Sequence, residues 1–239
     1  MTRNLQRLIS GGFVVLGYNK YMEKDVRQAL DDIDTVNPFA TYLSDSTLSR
    51  VGGWIDTGSY VLNAIVSGSI HGGIPKGRVT MLAGESMTGK SLFVMKILAS
   101  AQKEGLIPVI FDTENAIDPE GAERLGLDVK NVKYVPCISI EQTRNALYKF
   151  LTTVKEKKLE GKFIIAIDSL GNLQSELSLA RMGKDSTSTD MGTNARAMKS
   201  LMQTCTNLGA VTQTTILCTN HVYDNPAALF PSIEKNMPG

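Results

Sequence analysis

The sequence predicts an α/β fold, a mostly parallel sheet flanked by helices, and three observations lead there. From Arg78 onward, short β-rich runs alternate with stretches of helical period, the order that gives parallel strands joined by helical crossovers. Several of those runs are continuously apolar, as strands buried on both faces are. The turn after the first run is glycine-rich and ends on a lysine that opens a helical stretch.

Taken in order, residues 1–50 read as an N-terminal extension. They carry an acidic cluster (Glu23, Asp25, Asp31, Asp32, Asp34) and a breaker at Pro38, with no phosphate or metal motif. The apolar stretch from Leu8 to Leu16 is interrupted by Gly11 and Gly12 and is too short to span a bilayer, so it is a packing element. Residues 51–239 form the core. His71, among Gly68, Gly72 and Gly73, belongs to a turn. Strands are expected at 79–83, 109–112, 132–135, 163–168 and 215–220, and helices at 90–102, 119–125 and 140–155. In the last helix, Leu147, Phe150, Leu151 and Val154 recur at steps of three and four. Residues 175–193 hold small polar groups and scattered charges, with few large apolar ones after Met182, and are expected as a mobile loop. Beyond them Ala195, Met198, Leu201, Met202, Cys205 and Leu208 mark one face of a helix, leaving Arg196, Lys199, Gln203 and Asn207 on the other.

With 239 residues, 42% hydrophobic and 21% charged, the chain has enough apolar material for one sizeable core. A formal net charge of +1 supplies no global attraction to nucleic acid, so any such binding must come from local clusters of Lys and Arg. Cys137, Cys205 and Cys218 lack metal-ligand spacing and lie in apolar periodic stretches; buried, reduced thiols and an intracellular setting are expected.

The chemistry-bearing motif is Gly84-Glu85-Ser86-Met87-Thr88-Gly89-Lys90-Ser91, a full P-loop pattern between an expected strand and an expected helix. Gly84 and Gly89 let the backbone close around phosphates, so that its N–H groups converge at the positive end of the helix. Lys90 supplies charge to the β- and γ-phosphates and Ser91 a hydroxyl to Mg²⁺. Asp168 ends the apolar strand from Phe163 and, paired with the P-loop, is the candidate Mg²⁺ partner. Asp112 and Glu114 end another apolar run; if the strand continues, alternation puts them on one side. Glu114 there reads either as the base that polarises water or as part of an acidic loop before the helix at Pro119. Asn220-His221, leaving the last strand, are candidates for sensing a γ-phosphate.

Together these residues resemble the RecA family, most closely the UvsX recombinases of T-even-like phages, over about Asp56 to Gly239. The resemblance rests on Gly68 to Gly77, on Phe111-Asp112-Thr113-Glu114-Asn115-Ala116-Ile117-Asp118-Pro119, and on Ile167-Asp168-Ser169-Leu170-Gly171-Asn172-Leu173. It extends through Asp190-Met191-Gly192, Ala197-Met198-Lys199-Ser200-Leu201 and Asn220-His221. It implies a RecA-like ATPase core that uses ATP and Mg²⁺, with Glu114 as catalytic glutamate, Asp118 at the adenine and Asn220-His221 as the switch. Histidine, where bacterial RecA has glutamine, points to the phage branch. At the position of the adenine-stacking aromatic of bacterial RecA stands Gly121. The likeness further implies a first DNA-binding loop at 175–193, with Arg196 and Lys199 near the DNA backbone, and the start of a second loop at 222–239, where the chain stops as an N-terminal piece of a recombinase would. The implied partners are single-stranded DNA, homologous duplex DNA, further copies in a helical filament, and phage mediator and single-strand-binding proteins, in the cytoplasm of an infected bacterium and without a membrane. A DnaB-type hexameric helicase and a nucleotide-binding protein without turnover are the rival readings.

Overall fold

A computed structural model of the chain describes residues 9–10, 13–14, 24–37, 39–46, 48, 50–182, 191–224 and 235–236. It divides into two compact units, Met1–Ser49 and Arg50–Gly239. In the first, two short antiparallel strands, β1 (Ile9–Ser10) and β2 (Phe13–Val14), precede the helix α1 (Lys24–Val36). Val26, Leu30 and Ile33 recur along α1 at steps of four and three, so they share a stripe of the helix surface.

The second unit opens with an antiparallel pair, β3 (Trp54–Ile55) and β4 (Ile74–Pro75), joined through the helix α2 (Tyr60–Ser67). Gly73 is obligatory in this pairing: its φ is +145°, and a Cβ there would lie 1.9 Å from the Ile55 carbonyl oxygen. His71 lies in the intervening turn, edge-on to the Tyr60 ring at 6.5 Å.

Next come β5 (Val79–Gly84), α3 (Lys90–Lys103), β6 (Ile107–Asp112), α4 (Pro119–Arg124), β7 (Lys133–Pro136), α5 (Ile140–Glu156) and β8 (Phe163–Asp168). They are followed by α6 (Glu176–Met182), α7 (Met191–Val211) and β9 (Thr215–His221). Five parallel strands form one sheet in the order β5-β9-β8-β6-β7. The α/β class and the mostly parallel sheet expected from the sequence are therefore present. A small antiparallel pair, β10 (Tyr223–Asp224) and β11 (Lys235–Asn236), follows.

The sheet is covered on both faces because its strands are apolar on both. Along β8, Ile164 and Ala166 pack with Val94, Ile97 and Leu98 of α3, while Ile165 and Ile167 pack with Leu147 and Leu151 of α5 and Leu201 and Cys205 of α7. Alternation thus assigns successive residues of one strand to two separate cores.

One expectation is corrected. Residues 176–182 and 191–193, inside the stretch read as loop, are helical, in α6 and at the start of α7. The run from Glu176 to Met182 is built of good helix formers, and the Ser175 hydroxyl accepts the Ser178 N–H at 3.2 Å, as an N-cap does. Residues 183–190, and most of the stretch read as a second DNA-binding loop, lie outside the described residues.

Candidate nucleotide site

Parallel strands bring their carboxyl ends to one edge of the sheet, where ligands of open α/β sheets bind. Gly84 pairs with His221 across β5 and β9, and Asp112 with Asp168 across β6 and β8, so the ends of four strands meet at one crevice. Because β9 runs between β5 and β8, the residues leaving it border both the P-loop and the carboxylate strand.

The P-loop spans β5 to α3. Gly89 sits at the helix N-cap with φ +86° and no side-chain cap, which leaves the first N–H groups of α3 for a ligand. A Cβ on Gly84 would meet the Thr88 hydroxyl at 2.9 Å, the hydroxyl that closes the loop by donating to the Glu85 carbonyl at 2.8 Å. Met87, at the loop apex, has φ +63° and a fully exposed side chain. The Lys90 ammonium donates to the carbonyls of Gly84 (3.0 Å) and Glu85 (2.7 Å), inside the loop it would serve. Phosphate oxygens, being anionic, are stronger acceptors than those carbonyls.

A cavity of about 360 Å³ runs from the start of α3 to α4, with Ser91, Asp112, Glu114, Asp118, Gly121 and Asp168 in its wall. Asp168 is buried and its Oδ1 accepts the hydroxyl of Thr219, which leaves Oδ2 uncommitted by that bond. Ser91 and Asp168 are hard oxygen donors of the kind Mg²⁺ takes, so the residues present fit that ion.

Asp112 and Glu114 do not share a side of a continuing strand. β6 ends at Asp112, whose buried carboxylate turns back to accept the N–H groups of Glu114 and Asn115, both at 2.9 Å, while Tyr134 donates its hydroxyl to the other oxygen at 3.1 Å. The short polar turn wins over the strand because Asp112 satisfies the backbone groups that the ladder no longer pairs. Glu114 is thereby held out over the crevice. Its Oε1 accepts from Asn172 Nδ2 at 2.7 Å and Ser169 Oγ at 3.0 Å, and lies 3.2 Å from His221 Nε2. Burial by itself would raise the Glu114 pKa. The bond from His221, then that from Ser169, the His221 charge and the bond from Asn172 outweigh it and hold the carboxyl below its ordinary value.

Asp118 accepts the N–H groups of Glu120 (3.2 Å) and Gly121 (2.9 Å) as the N-cap of α4, and Arg124 lies 3.4 Å from its Oδ2. A Cβ on Gly121 would press to 2.8 Å from that same oxygen, so the absence of a side chain and the position of the cap are matched. Asn220 is buried at the end of β9, and its side-chain oxygen accepts the N–H of His221 at 2.9 Å. Arg196 and Lys199 are exposed on α7.

The structure therefore gathers Lys90, Ser91, Glu114, Asp168 and His221 around one crevice. Reasoning from sequence missed Ser169, Asn172 and Thr219, which hold the two carboxylates. A serine or asparagine after a strand leaves no spacing signal, and Thr219 lies inside an apolar run.

The family model of the RecA N-terminal domain matches residues 25–239. The chain is 33% identical over 189 residues to the protein RecA of Chlorobium chlorochromatii, covering 77% of this chain and 49% of that protein. It is 26% identical over 229 residues to the protein RecA of Leptospira biflexa, covering 92% of this chain and 56% of that protein. The chain thus spans about half the length of the curated relatives it matches. With a family match that takes in the P-loop, both carboxylate strands and the Asn-His strand end, the chain belongs to the RecA family.

Proposed function

We propose that the chain carries the ATP site of a recombinase of the phage, UvsX-like branch, which binds single-stranded DNA, assembles into filaments and pairs homologous strands. The observation that carries this reading is the convergence of the P-loop, Asp168, Glu114 and His221 at one end of a single sheet. The N-terminus of α3 and Lys90 would receive the triphosphate of ATP, and Glu114 would draw a proton from the attacking water. Ser91 and Asp168 would hold Mg²⁺, which would supply positive charge against that developing on the phosphates. His221, bonded to Glu114 and paired in register with the first P-loop residue, would report the γ-phosphate. Its strand leads directly to 222–239, the stretch read as DNA-binding. Arg196 and Lys199 would meet the DNA backbone, so affinity should follow salt more than base sequence.

The test is ATP hydrolysis by the purified chain with and without single-stranded DNA, with Lys90→Ala as the blank. Hydrolysis that DNA stimulates and the substitution abolishes is the expected result. ATP binding without turnover in either condition would refute the catalytic reading. Negative-stain images on single-stranded DNA should show open filaments, and closed rings would refute the recombinase assignment.

A further inference from the structure

We propose that Asn172 is a positioning residue for Glu114, fixing which of its carboxylate oxygens faces the attacking water. The inference rests on the reading of Glu114 as the base. Asn172 closes the single 3₁₀ turn, Leu170–Asn172, that follows β8. That turn is anchored: Leu170 and Leu173 on either side are buried in the core under α5 and α7, and the Leu173 N–H bonds back to the Leu170 carbonyl at 3.1 Å. Its start is tied to the residue that follows β6, since the Ser169 N–H donates to the Thr113 hydroxyl at 2.8 Å.

From this support Asn172 makes the shortest of three bonds to Glu114, and all three end on Oε1. Oε2 accepts none of them. A carboxylate held at one oxygen by three donors from two elements has lost its rotation, and the second oxygen is the one left to take a proton. The three donors are not equivalent. In the proposed function His221 answers to the γ-phosphate, so its bond to Glu114 is the one that exchanges when nucleotide binds. Asn172 carries no charge, and its bond persists through that exchange. The ionisable groups around Glu114 are His221 from β9 and, in the same cavity wall, Asp112, Asp118, Arg124 and Asp168.

The experiment compares the whole chain with Asn172→Ala, Asn172→Asp and Glu114→Gln. It measures single-turnover ATP hydrolysis, ATP affinity, and the ¹³C resonance of the Glu114 carboxyl, assigned by its disappearance in Glu114→Gln. Losing one charge-assisted bond should slow the hydrolytic step by about tenfold in Asn172→Ala, with ATP affinity unchanged within about twofold. Asn172→Asp keeps the shape but offers only acceptors to a carboxylate, and should be slower still. The Glu114 resonance should move in both. Hydrolysis and resonance unchanged in Asn172→Ala, with Glu114→Gln inactive, would overturn the positioning role and leave the base assignment standing. Full turnover in Glu114→Gln, or none in the unsubstituted chain, would remove the base assignment and the proposal with it.

Discussion

At the scale of single residues, Glu114 shows how a surface carboxylate is tuned by its neighbours. Burial opposes its charge, and donors from His221, Ser169 and Asn172 favour it, with the donors prevailing. Because the folded-state pKa lies below the ordinary value of 4.5, the stabilisation that these bonds give is complete above that value and is lost as pH falls through the lower, folded one. Glu114→Gln should therefore reduce stability at neutral pH, and the gap to the unsubstituted chain should close on acidification past the ordinary glutamate range. Urea denaturation at several pH values checks this; a gap constant down to acid pH would show that the bonds do not favour the ionised form. In the same variant turnover should fall by about 10²–10⁴-fold while ATP binding persists, the range expected for removal of a general base.

At the scale of elements, α5 is held by packing. Leu147, Leu151 and Val154 lie at steps of four and three, all buried against the sheet, and Ser139 caps the helix by accepting the Gln142 N–H at 3.0 Å. Leu151→Ala should cost about 2–5 kcal/mol, because neighbours in a close-packed core collapse only partly into the vacated space. Tyr148, on the outer face and 58% exposed, should tolerate alanine within about 0.5 kcal/mol. Urea midpoints with unchanged slopes decide this, and comparable losses at the two positions would mean that α5 does not pack as described. Helical period made α5 legible, and continuous apolar runs made β6, β8 and β9 legible. Helical period failed for α6: seven residues hold too few turns to show a stripe, and the small polar groups after Met182 coloured the whole stretch.

At the scale of the whole molecule, the three thiols report on the second core. Cys137, Cys205 and Cys218 are all buried in it; burial pushes the Cys205 thiol up to about 12 and Cys218 well above its ordinary range. None should react with a thiol reagent in the native state at neutral pH, and the labelling rates of Cys205 and Cys218 should follow global opening. Fast labelling of either in native buffer would contradict the described packing. Charge tells less at this scale, since the net value of +1 gives no attraction to DNA on its own. If Arg196 and Lys199 each meet one phosphate of a single strand, replacing both by alanine should reduce the salt slope of DNA binding by roughly 1.4, at about 0.7 per contact. An unchanged slope in a fluorescence anisotropy titration would place the DNA elsewhere.

The sequence by itself determined the α/β class, the five strands of the parallel sheet, and the P-loop between β5 and α3, because each is written in a local apolar pattern or in a contiguous motif. It also marked Glu114, Asp168 and His221 as strand-end residues. Only the tertiary structure decided that β9 lies between β5 and β8, and so which strand ends are neighbours. The same holds for the choice of Ser169, Asn172 and His221 as the donors that hold Glu114. These are contacts between residues up to 107 apart in the chain, and their geometry follows from strand order and register, which no local pattern encodes.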